Sequence, residues 1–157
     1  IPTVILSWAD FFDRIEVVFV ANTMLLMLFL FICISSIISH SIFKTKSAKE
    51  ALKGVICAYF MVAFLFGYLY YLIDYFHPGS FSFNTGNSLL FSYTRYISEM
   101  LYFSFVTLLT IGYGDIVAIT DLGQTCAVIE GIVGQFYVAI LVARLVGVYS
   151  SYGNKKA

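Results

Sequence analysis

Thr110-Ile111-Gly112-Tyr113-Gly114-Asp115 stands between two apolar stretches, and its reading decides the fold. Glycine accepts positive φ, so Gly112 and Gly114 allow an extended backbone whose successive carbonyl oxygens turn the same way. In a soluble protein such a hexapeptide is an ordinary turn. The flanks argue otherwise. Upstream, Tyr96 to Leu109 is an apolar run of helix length, too short to cross a hydrocarbon core of about 30 Å and suited to a re-entrant helix. Downstream, Leu122 to Tyr149 is long enough to cross with tilt, with Glu130 and Arg144 its only charges. Irregular backbone at membrane depth is tolerated only where it is buried in protein or lines a watery path, because unpaired carbonyls in lipid each cost several kcal/mol.

Working outward, two further stretches read as spans. Val17 to Ser39 carries no charge, and Gly54 to Phe76 carries only Asp74 near its end, before the helix stop His77-Pro78-Gly79-Ser80. Pro78 to Thr94, rich in Ser, Asn, Thr and Gly, reads as an exposed loop. The composition agrees: 61% of the 157 residues are hydrophobic and 11% charged, against roughly 45–50% and 25% in soluble domains. Zero net formal charge gives no field that would attract nucleic acid. Cys33, Cys57 and Cys126 fall in apolar runs without metal-ligand spacing and read as inert thiols. The histidines, His40 and His77, lie at opposite faces and the carboxylates are scattered, so no catalytic constellation is read and an enzyme is disfavoured.

Charge sets the orientation. Lys44, Lys46, Lys49 and Lys53 between the first two spans, and Lys155-Lys156 after the third, are expected on the cytoplasmic side. Residues 1–16, with Asp10, Asp13 and Glu16 against Arg14, are then an external segment, and the re-entrant segment opens outward. The lysines are a solvated loop or, through the spacing of Lys46, Lys49 and Lys53, a basic stripe facing anionic lipid. No span has a basic residue at every third position, so an Arg-rich voltage-sensing helix is not read here.

The short helix would aim its C-terminal end, carrying about half a negative charge, at the pore axis. Its Tyr102-Phe103 pair is placed to pack behind Tyr113 and Asp115 and to offer a hydroxyl partner. Carbonyl rings from Thr110, Ile111, Gly112 and Tyr113, with the Thr110 hydroxyl as a further layer, match what a dehydrated potassium ion needs. One chain supplies a quarter of each ring, so three identical subunits are expected as partners in a homotetramer.

From about Tyr102 to Gly147 the residues resemble the pore module of the potassium channel family, whose signature Thr-Val/Ile-Gly-Tyr-Gly-Asp is matched at all six positions. With the second span as outer helix, the resemblance covers residues 54 to 150. It implies a module of two transmembrane helices, a re-entrant pore helix and an extended selectivity filter; with the first span, which lies outside the resemblance, the expected fold is an all-α membrane protein of three transmembrane helices. Residues 1–53 form an additional transmembrane helix with a basic cytoplasmic loop. Residues 54–157 form the pore domain: outer helix 54–76, turret 77–95, pore helix 96–109, filter 110–115 and inner helix 122–150. Potassium bound at Thr110, Ile111, Gly112 and Tyr113 is the expected ion, with Gly114 completing the filter and no cofactor otherwise. The resemblance also implies that Thr107 stands behind the filter base and that Asp115 anchors its outer mouth. Gly134 falls at a hinge position of the inner helix, and Val138, Val142 and Val146 would line an apolar inner gate that closes by dewetting.

One departure is plain: Val106 stands where some members have a glutamate that pairs with the filter aspartate, so that carboxyl pair cannot form. Gly134, three residues after Gly131, serves helix packing or hinging. Glu130 needs a partner, with Thr107 or backbone at the pore-helix base as the candidates, or else it meets the ion; Gln135 raises the same choice. Arg144 is expected to snorkel to the interface, and His77 is interfacial or a sensor of external pH. The expected function is potassium conduction across the plasma membrane, in contact with lipid. Control of opening is expected from a cytoplasmic domain or subunit outside these residues or from the membrane itself. A weakly selective cation channel is the nearest alternative, against which Tyr113 argues, and a non-conducting membrane sensor is the other.

Overall fold

The computed structural model describes the backbone of residues 2–40, 48–83 and 93–153, and the side chains of 17–40, 52–83, 95–143 and Val146. Lys44, Lys46, Lys155, Lys156 and turret residues 84–92 lie outside these, as do the side chains of Asp10, Asp13, Arg14, Glu16, Lys49 and Arg144.

The described chain runs α1 Pro2–Ser39, α2 Ala48–Phe76, β1 Phe81–Phe83, α3 Tyr93–Leu108, β2 Ile116–Ala118 and α4 Asp121–Gly153. Three helices contain stretches long and apolar enough to cross a membrane: Val17–Ser39, Leu52–Phe76 and Asp121–Ala143. This is a multi-pass membrane protein. At 16 residues, α3 is only about 24 Å long and cannot cross.

Several boundaries differ from the sequence reading. Residues 2–16 are not a separate segment: α1 is helical from Pro2, a residue whose fixed φ and missing N–H suit a first helical position. The second helix begins at Ala48 instead of Gly54, because Ala48-Lys49-Glu50-Ala51-Leu52-Lys53 are all strong helix formers. The pore-helix candidate is shifted, to Tyr93–Leu108 from 96–109.

The exposed-loop reading of Pro78 to Thr94 fails at its start, where Ser80 and Phe81 are buried. The α2 helix ends where Pro78 can no longer donate and Gly79 takes φ 86°. The chain then turns into β1, which pairs antiparallel with β2 in the register Phe81↔Ala118, Ser82↔Val117, Phe83↔Ile116. A bond from Ile119 N to Ser80 O at 2.8 Å extends this ladder. The segment leaving the outer helix is thus tied to the segment leaving the filter candidate. On the far side, Thr120 caps α4 through Oγ1, which accepts from Gly123 N at 3.3 Å.

The core forms around α2. Tyr70 stacks edge-on with Phe81 and Phe103 at centroid distances of 5.4 and 5.0 Å, and Ile34 of α1 joins Val62, Ala63 and Leu108 in a second cluster. Burial covers 44% of the α2 span but 11% of the α1 and α4 spans, so α2 is the helix most enclosed by its own chain. The α2–α3 crossing is close because Gly67 has no side chain. A Cβ there would stand 2.6 Å from Leu101 Cδ2 and 3.0 Å from Leu101 Cα. Gly67→Ala should therefore destabilise the folded protein by roughly 1–3 kcal/mol through overpacking, seen as a lower midpoint of thermal unfolding in detergent; an unchanged midpoint would contradict this crossing.

Candidate functional site

The hexapeptide begins where α3 ends, and the end is fully capped. A helix leaves its last four carbonyls without intrahelical partners. Here Phe105 O accepts from Leu109 N at 3.0 Å, Val106 O from Ile111 N at 2.9 Å and Thr107 O from Thr110 N at 2.9 Å. Leu108 O accepts from the Tyr59 hydroxyl of α2 at 3.1 Å. The paired bonds from residues 110 and 111 back to 107 and 106 form a Schellman cap, whose left-handed position is ordinarily glycine. Thr110 occupies it with φ 56°, at a cost of about 1–2 kcal/mol for a residue with a Cβ. Thr107 contributes its carbonyl to this cap.

Positive φ then recurs at Gly112 (62°) and Gly114 (76°), while Ile111 and Tyr113 stay negative. Alternating the sign of φ flips alternate peptide planes, which turns successive carbonyls toward one side of an extended strand. A Cβ at Gly112 or Gly114 would meet nothing within 4 Å, so φ and not space requires glycine there. Ile111 and Tyr113 are exposed on the single chain, Tyr113 by 69%.

At the other end, Asp115 is held on both oxygens. The Tyr102 hydroxyl donates to Oδ2 at 2.7 Å, and Ile116 N donates to Oδ1 at 3.1 Å. The Tyr102 bond lowers the pKa of the Asp115 carboxyl below its ordinary value and raises that of the phenol to about 12. Val106 is buried, and the tyrosine takes the place of a carboxyl partner for Asp115. Phe103 does not join Tyr102 at Asp115; it packs into the cluster with Tyr70 and Phe81. Nearby, Asp74 accepts from Ser80 N at 2.8 Å and from the Tyr96 hydroxyl, tying the end of α2 to the start of α3.

The inner helix meets α3 at two successive turns. Glu130, with no exposed surface, is in hydrogen-bond contact with Ser104 and accepts from the Tyr70 hydroxyl at 2.5 Å. Its partners are therefore Ser104 and Tyr70, not Thr107. One turn on, a Cβ at Gly134 would stand 2.5 Å from Leu108 O, so close packing is the reading of Gly134 that has a contact to carry it, and α4 runs unbroken through it. Gln135 Nε2 donates to Thr110 Oγ1 at 3.3 Å. Thr110 and Gln135 share a groove of ≈530 Å³ with Gly131, Ile132 and Phe136. Val138, Val142 and Val146 lie further along α4, all exposed on the single chain.

The sequence reading missed Tyr59, Ser104, Tyr70 and Asp74. A signal existed: Tyr59, Ala63, Gly67 and Tyr70 recur at helical spacing on one face of α2, mixing hydroxyls with the small residues of a close crossing.

A family model described as ion channel matches residues 55–151, from α2 to near the end of α4, and leaves α1 outside. No curated protein matches the chain.

The Asp115 bond carries a pH dependence. A carboxyl held below its ordinary value contributes stability in full above that value, and the contribution is lost as pH falls through the folded-state value. Tyr102→Phe should move the Asp115 titration, followed by carboxyl NMR, upward toward the ordinary value of about 3.9. An unmoved midpoint would mean that the hydroxyl does not hold this carboxylate.

Proposed function

The chain belongs to the ion channel family, and on that footing we propose that it is one of four identical subunits of a potassium-selective channel. The observation that carries the reading is the alternation of φ at Thr110, Gly112 and Gly114. It flips alternate peptide planes, which turns successive carbonyls to one side of the strand, at a depth where lipid would not satisfy them. Fourfold assembly turns them into rings that replace the water around a bare potassium ion, with the Thr110 hydroxyl as the innermost oxygen layer. Asp115, anchored by Tyr102, holds the outer mouth, and Thr107 holds the base through its bond to Thr110 N.

Four copies of α4 then line the shared pathway, with the groove of Thr110 and Gln135 facing it. Gly134 then sets how closely α4 approaches the pore helix, and Val138, Val142 and Val146 form the apolar constriction on the inner side. Tyr113 between the two glycines favours potassium over a weakly selective pathway.

In liposomes the purified protein should give a reversal potential that follows the potassium gradient and ignores an opposing sodium gradient. Gly112→Ala should abolish that current while leaving the assembly folded, since the penalty is about 1–2 kcal/mol of backbone strain per chain and no clash. A reversal potential indifferent to exchanging sodium for potassium, or normal potassium current from Gly112→Ala, would overturn the proposal.

A further inference from the structure

The Glu130 cluster is enclosed between α2, α3 and α4. Ser104, Tyr70 and Glu130 have no exposed surface, and they come from α3, α2 and α4 respectively. Three close oxygen–oxygen contacts join them. The Tyr70 hydroxyl meets Glu130 Oε2 at 2.5 Å, Ser104 Oγ meets Glu130 Oε1, and Ser104 Oγ meets Ala63 O at 2.7 Å. Each contact needs a proton between its oxygens. Two hydroxyls supply two, since a serine hydroxyl donates only once.

We propose that Glu130 is a buried neutral carboxylic acid and that it supplies the third proton, latching the inner helix to the pore helix. The carboxyl donates to Ser104 Oγ, Ser104 donates to Ala63 O, and Tyr70 donates to the remaining carboxyl oxygen. Three donors then meet three acceptors. An ionised Glu130 would leave one of the Ser104 contacts as two lone pairs face to face. It would also bury a charge without a counter-ion. Among the described residues the polar groups around it are Tyr70 and Tyr59 from α2, Ser104 from α3 and Cys126 one turn back on α4, and none of these is a cation.

The latch has a definite place. Glu130 meets Ser104 and Gly134 meets Leu108, a spacing of four residues on both helices, so α4 and α3 run alongside each other for a full turn. Ser104 also reaches Ala63, next to the Gly67 crossing. Movement of α4 at Glu130 therefore acts directly on the helix whose last turn sets Thr110. Glu130 is in this sense a positioning residue. Its role in ion selection rests on the proposed function, whereas its protonation does not.

The test is infrared spectroscopy of the full chain in lipid near neutral pH, combined with three variants. A carboxylic acid C=O band should be present and should disappear in Glu130→Gln. In Ser104→Ala it should shift to higher frequency, because the carboxyl proton loses its acceptor. Glutamine keeps an N–H donor toward Ser104 and an oxygen acceptor toward Tyr70 and adds one further N–H, so its thermal midpoint should stay nearer the parent than that of Glu130→Leu, which should fall by roughly 5 °C or more. The potassium-to-sodium permeability ratio should follow the same order. A missing acid band, or Glu130→Gln unfolding as readily as Glu130→Leu or failing to fold, would overturn the proposal. A parent protein with the band but no potassium preference would overturn the functional reading and leave the protonated latch standing.

Discussion

The structure depends on one constraint: carbonyl oxygens in the interior of a membrane must be given something to bind. Helices meet it internally, and the three helices long and apolar enough to cross do so along their lengths. The stretch from Thr110 to Gly114 belongs to neither a regular helix nor a regular strand, and its φ alternates in sign. Its first residue is fixed by the cap that ends α3, so the irregular strand starts at a determined point. That a threonine occupies the left-handed cap position, where glycine would relieve the strain, fits a demand for its hydroxyl.

The rest of the fold serves to hold α3. From the α2 side, Gly67 and Ala63 allow close approach and Tyr59 caps the last carbonyl. From α4, Glu130 and Gly134 meet it one turn apart. At the outer mouth, Tyr102 holds Asp115, and the β1–β2 pair ties the exit of the strand to the end of α2. Helix α1 packs on α2, and its Ile34 joins the cluster of Val62, Ala63 and Leu108, although α1 lies outside the matched family region.

Much of this was legible in the sequence, because long charge-free runs and a six-residue motif are local signals. The three spans and the short helix needed only length and composition. What escaped was non-local or depended on a single atom. Ser104 and Glu130 are 26 residues apart, and nothing in either neighbourhood selects serine over Thr107 as the partner. Phe103 was placed on the filter side by adjacency to Tyr102, although neighbours on a helix point about 100° apart. The strand at Phe81 is too short for periodicity to register, and its burial follows from pairing with residues beyond the filter.

The measurement closest to the central claim is a structure of the assembled protein in lipid, determined once in potassium and once in sodium. The account predicts four chains around one axis, with ion density between the carbonyls of Thr110, Ile111, Gly112 and Tyr113 in potassium, and a loss or rearrangement of that density in sodium. Carbonyls of these residues turned away from the axis, or an assembly without a shared axis, would contradict it.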